Sequence, residues 1–407
     1  MSRGPATSQE APRNANLSAL LTLVHLQGPT TRAALTTALG LNRSTIGDLT
    51  RRLEDLGLVV EVPPGEEPLV VSGRRTGRPS LVVSPREDVT VLAVALDVDR
   101  ITVAVVGLGG VVLDRRTRHH QRGEHDSERV VESVSQMCAE LMSLEHGTRT
   151  IAVGVSVPGA VRESDGLVRF APNLGWSDEP FTDQLAAALK LPVMTANDAD
   201  LGARAEHMRG AAVGANDVAF LSGSVGIGGG FYVGGIPLRG AIGFAGEVGH
   251  VMVDSNGEEC RCGAIGCLET KVGENQLLTA AGRLPGGGPP AVAEVIKAAD
   301  GGDRRARDAV DHAAHWLGVG LRPVFALFNP QVVVLGGLLS QVWTARREIV
   351  LKGLDPESLI SARDVLDIRP SALGNDASLI GAAELAFAPL LVQPGRSGAH
   401  RPRAARG

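Results

Sequence analysis

Three cysteines, one histidine and several carboxylates crowd the stretch GEVGHVMVDSNGEECRCGAIGCLE, from Gly246 to Glu269. Cys260, Cys262 and Cys267 follow the spacing C-x-C-x4-C, and His250 lies ten residues before the first of them. Three thiolates and an imidazole make a closed tetrahedral set for zinc. Four protein ligands leave no open coordination position, so such an ion would be structural rather than catalytic. It would fix a glycine-rich loop that carries Glu247 and His250 at one end and Glu269 at the other. Reduced cysteines that merely pack are the competing reading, and their clustering in such a loop argues against it. A redox role is weaker, because no C-x-x-C precedes a helix. A nucleic-acid finger is disfavoured too: C-x-C is tighter than a finger knuckle, and no partner C-x2-C exists elsewhere. The fourth cysteine, Cys138, reads as a buried free thiol in mid-helix.

A chain of 407 residues has room for about two or three domains to position that loop. Its 51 glycines and 3% aromatic content suit α/β layers of small, closely packed elements. They argue against aromatic stacking platforms for single-stranded nucleic acid. A net charge of −5 excludes a generally basic DNA-coating protein, so any nucleic-acid contact must come from a local patch. Four cysteines do not make a disulfide framework. LSALLTLVHLQ could pass for a signal-peptide core, but it carries His25 and Gln27, lacks a small-residue cleavage site and shows helical periodicity. No run approaches about 18 apolar residues, so no membrane span is expected and the chain reads as cytoplasmic.

Residues 1–14 are polar and Pro/Ala-rich and read as disordered. Helical segments follow. Leu17, Leu20, Leu21 and Val24 recur at helical spacing until QGPT; Thr31 can cap TRAALTTALG, and Asn42 can cap NRSTIGDLTRRLEDLGL. Two alternating runs, LVVEV and LVVSG, come next, joined by PPGEEP. Three short helices and a β-ribbon make a winged helix-turn-helix over residues 15–88, whose third helix would lie in the major groove of double-stranded DNA. Its expected DNA-facing residues are Arg43, Ser44, Thr45, Asp48 and Arg51, with Gly47 also facing out. Arginine and serine near a helix start suit base edges and phosphates. Arg75 and Arg78, in the extended GRRTGRPS, could enter a minor groove. The alternatives are a helical hairpin serving protein contacts and a polar linker.

From residue 89 the pattern changes. VTVLAVALDV and RITVAVVGLGGVVLDRRT read as a hairpin meander, followed by a helix and the strand TIAVGVSVPG. LPVMTANDADLGARAEHMRG reads as a strand, a loop and a helix. DVAFLSGSVGIGGGFYVGGIPLRG then repeats the earlier form, which points to two related lobes with a cleft between them. A helix over roughly 303–328 leads through NPQ into VVVLGG, and ASLIGAAELAFAPLL is a final helix. The expected division is a first lobe over 89–198, completed by 376–391, a second lobe over 199–375 with the metal loop, and a disordered tail over 393–407.

With GEVGH and CRCGAIGCLE in hand, the chain resembles the ROK family of repressors, open reading frames and sugar kinases. NLSALL through GRP resembles the DNA-binding module of its repressor branch, and SVPGAV, APNLGW, NDAD, GIGGG and NPQVVVLGG fall in the family's order. The resemblance covers about residues 15–390. It implies a two-lobed, actin-like (ribonuclease H-like) α/β fold behind the winged helix. It also implies a sugar or sugar-derivative effector contacted by Asn197, Asp198, Glu247, His250 and Glu269. Gly159 would let the backbone come close, and Asn173 is a weaker candidate. Carboxylates can accept paired hydrogen bonds from vicinal hydroxyls, and an amide supplies donor and acceptor. One nitrogen of His250 could hold zinc while the other meets the sugar.

The resemblance leaves two functions to weigh. A family kinase needs a phosphate grip resembling D-x-G-G-T, where this chain has DVDRIT from Asp97 to Thr102; a second resembles G-T-G-I-G-G-G, where Val225 replaces the threonine. Asp99 and Arg100 stand where glycines would admit phosphates. The expectation is therefore a sugar-responsive repressor, not an enzyme, acting as a homodimer or homotetramer and touching no membrane. The alternative is an ATP-dependent sugar kinase with Asp198 as general base.

Overall fold

A computed structural model describes residues 10–63, 80–123, 126–147, 149–355, 357 and 367–395. The N-terminal module comprises α1 (Glu10–Gln27), β1 (Thr30–Thr31), α2 (Arg32–Leu39), α3 (Arg43–Asp55), β2 (Val59–Val62) and β3 (Val82–Pro85). Local chemistry sets these boundaries. The Thr31 hydroxyl accepts from the Ala34 amide, and the Asn42 carboxamide accepts from the Thr45 amide at 2.8 Å, each satisfying an orphan donor of a first turn. Leu17, Leu20, Leu21 and Val24 are buried with Leu35, Ile46, Leu49 and Leu53 as the module's core. The first helix starts at Glu10, so residues 10–14 are helical where disorder was expected; Pro12 falls in its first turn, where a missing N–H costs nothing.

β2 pairs antiparallel with β3, Val59 opposite Pro85 and Val62 opposite Val82, in a sheet of order β1-β3-β2. This strand, within LVVSP at 81–85, is one the sequence reading did not assign; the LVVSG run that it did assign lies outside the described residues. Gly47 is another departure: it is buried in α3, where a Cβ would meet the Arg32 guanidinium at 3.4 Å.

The chain continues through β4 (Thr90–Leu96), β5 (Arg100–Gly107), β6 (Val112–His119), α4 (Ser127–Met142), β7 (Thr150–Val157), β8 (Ala160–Val161), β9 (Val168–Ala171), β10 (Trp176–Glu179), α5 (Phe181–Leu189), β11 (Val193–Asn197) and α6 (Asp198–Arg209). Then come β12 (Val218–Gly223), β13 (Ile227–Val233), β14 (Ile236–Pro237), α7 (Glu269–Val272), α8 (Glu274–Ala280), α9 (Gly288–Asp300), α10 (Arg304–Phe328), β15 (Val332–Gly336), α11 (Gly337–Leu354), β16 (Ile368–Pro370) and α12 (Ala377–Val392). Two compact units emerge. Among the described residues, the first takes those within Met1–Val155, Pro180–Met194 and Ala382–Gly407, and the second those within Ser156–Glu179 and Thr195–Gly381. Residues 156–179, expected with the first lobe, thus group with the second.

The repeat seen in the sequence reappears as topology. One five-stranded sheet runs β11-β7-β4-β5-β6 and the other β14-β13-β12-β15-β16. Numbered by order of appearance within each sheet, both follow the same arrangement, opening on an antiparallel meander. In the second sheet β15 then joins β12 in parallel through a helical crossover. The core of the second unit lies where α10 packs on α11. Gly318 has no room for a side chain there, since a Cβ would overlap the Val350 carbonyl. The stretch Gly374–Val392 is long and apolar enough to cross a membrane by length and composition, but 61% of it is buried within the protein. Buried Glu384 also interrupts it.

Candidate functional site

β13 organises the site by its two-residue alternation. Gly228 and Gly230 face α6: a Cβ at either would come within 2.8 Å of Ala199 or Ala203. Ile227 and Gly229 face the other way, against the GEVGH segment; a Cβ at Gly229 would lie 2.7 Å from the Gly246 carbonyl oxygen. The glycines of SVGIGGG therefore seat the Asn197–Asp198 helix start on one face and Glu247–His250 on the other. Gly226 leaves space for Glu269, whose Oε2 would be 2.9 Å from a Cβ there.

The metal loop is a tight knuckle. The Cys260 amide donates to the Ala264 carbonyl at 2.7 Å, and the Gly263 amide donates to the Cys260 carbonyl at 2.8 Å. Leu268 is buried against Gly320 of α10, and Lys271 pairs with Asp254 at 2.8 Å. The donor atoms of His250, Cys260, Cys262 and Cys267 all lie within 4.8 Å of one another. Cys260 Sγ is 3.6 Å from His250 Nδ1, and Cys262 Sγ is 3.7 Å from Cys267 Sγ. Tetrahedral bonds of about 2.3 Å to sulfur and about 2.0 Å to nitrogen place ligand atoms roughly 3.5–3.8 Å apart, so the donor set fits zinc. Burial pushes the Cys260 thiol up to about 12 and raises Cys267, while the Ala264 amide holds Cys262 below its ordinary value. Cys138 is also buried and pushed up to about 12, an inert thiol as expected.

The two nitrogens of His250 face different groups. Nδ1 points at the sulfur cluster and at Glu269 Oε1, 3.7 Å away, while Nε2 is 3.9 Å from Glu247 Oε2. Glu247 is exposed and Glu269 largely buried, and the Cys260 thiol donates to Glu269 at 3.0 Å. The structure thus brings Glu247, His250 and Glu269 together. Asn197 does something the sequence did not reveal. Its Oδ1 caps α6, accepting from the Ala199 and Asp200 amides, and its Nδ2 donates to the Gly159 carbonyl at 3.0 Å. β11 therefore runs directly into α6 without the expected loop. Gly159 is small for the protein's own sake, because a Cβ there would lie 2.6 Å from Ala171. Asp198 opens α6 half-buried, its Oδ1 accepting from the Ala199 amide. Asn173 accepts from Arg261 of the metal loop at 3.1 Å.

Sequence reasoning missed one adjoining group. Arg239 pairs with Asp200 at 2.7 Å and lies 3.7 Å from Glu163. Burial pushes the Asp200 carboxyl up to about 6, with Arg239 opposing the shift. Three separated segments meet here, and no spacing links them.

Where a kinase would need its first phosphate grip, the turn before β5 holds ion pairs. Arg100 bonds Asp97 at 2.9 Å, and Asp99 lies 3.5 Å from both Arg100 and Arg122. On α3 of the N-terminal module, Arg43, Ser44, Asp48 and Arg51 are exposed and Thr45 half-buried. Asp48 and Arg51 pair with each other at 3.1 Å, and the Ser44 hydroxyl donates to the Asn42 cap. Arg75 and Arg78 lie outside the described residues.

The model of the ROK family matches residues 91–388. A xylose repressor of Caldicellulosiruptor bescii is 28% identical over 380 residues, covering 89% of this chain and 93% of that protein. A glucokinase of Halalkalibacterium halodurans is 33% identical over 245 residues, covering 57% of this chain and 74% of that one. Among solved structures, a ROK family transcriptional regulator homologous to the E. coli MLC protein superimposes with a TM-score of 0.74. It has 24% identity and covers 94% of this chain and 96% of its own.

Proposed function

The chain belongs to the ROK family, and from that premise we propose that it is a sugar-responsive transcriptional repressor. Likeness to the xylose repressor over 89% of the chain carries this reading, because so long a match takes in the N-terminal module. The glucokinase likeness stops at 57%. α3 enters the major groove of operator DNA with Arg43, Ser44, Thr45, Asp48 and Arg51, assisted by Arg75 and Arg78 in the minor groove. Arg51 exchanges its exposed pairing with Asp48 for a phosphate, at little cost because such pairs are weak. Two copies in a homodimer grip two half-sites.

Asp198, Glu247 and Glu269 accept hydrogen bonds from sugar hydroxyls, and His250 Nε2 meets one more. Asn197 holds Gly159 and the start of α6 and offers its second amide hydrogen to the sugar. His250 Nδ1 with Cys260, Cys262 and Cys267 holds zinc, which when bound supplies a fixed tetrahedral crosslink for the loop carrying Glu269. Sugar binding favours a state with lower operator affinity, which requires different sugar affinities in the two states. The Asp97–Arg100 pairing and Val225 support a regulator without kinase activity; the protein acts in the cytoplasm, where the operator is.

Two assays separate this reading from a sugar kinase. Operator retention is measured with and without D-xylose, D-glucose and N-acetyl-D-glucosamine, and ADP release is measured with ATP and each sugar. Release of the operator by one sugar without ADP formation is expected. Robust sugar-dependent ADP release would establish the kinase instead.

A further inference from the structure

α1 has two buried faces. Leu17, Leu20, Leu21 and Val24 serve the core of the N-terminal module, while Ser18 and His25 reach the C-terminal helix α12. The Ser18 hydroxyl donates to the Leu391 carbonyl at 2.7 Å, and His25 Nε2 lies 2.9 Å from Glu384 Oε2. Seven residues separate the two ties on each helix, so the helices run antiparallel in a single register. His25 and Glu384 are both 0% exposed, and the His25 ring packs on Phe387 at 5.0 Å. The Gly109 amide, in the β5–β6 turn, donates to His25 Nδ1 at 3.0 Å. That nitrogen therefore carries no proton, and Nε2 donates to Glu384. A Cβ at Gly109 would come 3.0 Å from Pro85 of β3, so the wing meets the same junction.

Burying such a pair is unfavourable unless every partner is in place, and an apolar pair would hold two helices together at least as well. What a polar pair adds is direction: sliding α1 along α12 by one turn breaks both ties at once. α12 also has a direct link to the sugar site. A Cβ at Gly381 would overlap the Leu201 carbonyl of α6, so the two backbones touch with no side chain between them. Leu201 lies one turn after Asp198, and Glu384 lies one turn after Gly381 along the same helix.

We propose that His25 is the positioning residue through which α12 sets the DNA-binding module, so that the sugar acts on operator affinity through the His25–Glu384 pair. This rests on the repressor reading above. The test uses full-length, zinc-loaded protein and whichever of D-xylose, D-glucose and N-acetyl-D-glucosamine raises the wild-type Tm most. Operator Kd is measured with and without that sugar for wild type, His25→Gln and the double variant His25→Phe/Glu384→Leu. Glutamine keeps one donor and one acceptor; the double variant keeps the packing alone.

Wild type and His25→Gln are expected to lose operator affinity on sugar binding by ~10-fold, the usual size of such coupling. The folded double variant, with unchanged sugar Kd, loses the response. A full response in that variant overturns the proposal and leaves the repressor reading standing. A wild type that binds sugar but never changes operator affinity overturns both. Should the double variant fail to fold, hydrogen exchange in the wild type decides. Sugar-dependent protection at residues 17–27 supports the proposal, and unchanged protection there overturns it.

Discussion

His250 divides its two nitrogens between a thiol cluster and an exposed carboxylate, and each side can be tested alone. Replacing Cys262 with Ser removes one ligand, and metal analysis of the purified protein is expected to show zinc falling well below one equivalent. Glu247→Gln leaves the metal set intact and weakens sugar binding by ~1–3 kcal/mol, read by calorimetry alongside an unchanged zinc content. Because thiols must lose protons to bind metal, and burial raises those of Cys260 and Cys267, zinc affinity declines as pH falls. Asp200 has the opposite sense in its effect on stability. Its carboxyl moves from an ordinary 3.8 to about 6 in the folded chain, so the folded state holds a proton that the unfolded state has released. Its contribution to stability is fully present below about pH 4 and is lost as pH rises through about 6; an NMR titration of that carboxyl checks the window. The cysteines and His250 were legible because their types and spacing are specific. Asp200, Arg239 and Glu163 were not, since only folding brings three segments together, and the capping role of Asn197 was hidden behind its expected contact with sugar.

At the level of elements, β13 joins the two halves of the site: its glycines Gly228, Gly229 and Gly230 are each required by what packs on them. Gly230→Ala places a methyl against Ala203 and the Ala199 carbonyl, and is expected to cost ~1–3 kcal/mol in thermal unfolding while also weakening sugar binding by displacing the start of α6. The helices of the N-terminal module were legible from periodicity in α1 and from caps in α2 and α3: Thr31 and Asn42 sit where the sequence placed them. The pairing of β2 with β3 was not, because nothing local to VVSP announces it. On α3, Arg43→Ala is expected to weaken operator binding by ~1–3 kcal/mol without altering Tm, as measured by fluorescence anisotropy and thermal unfolding.

Across the whole molecule, one sheet plan is used twice, and the loose repeat around GGVV and VGGI was its trace in the sequence. The division into units was only partly legible. Residues 156–179 follow the first sheet's strands in order, yet their contacts place them with the second unit. A net charge of −5 leaves DNA binding to a local surface, so operator affinity should depend on α3 and the wing rather than on bulk charge. As proposed, one chain joins a sugar site to a DNA-binding module and couples them. The most direct test is a fluorescence-anisotropy titration of the operator with full-length, zinc-loaded protein, at fixed salt, with and without the sugar that most raises its Tm. A sugar-induced rise in operator Kd of ~5-fold or more is the predicted result. An operator Kd unchanged at saturating sugar would contradict it.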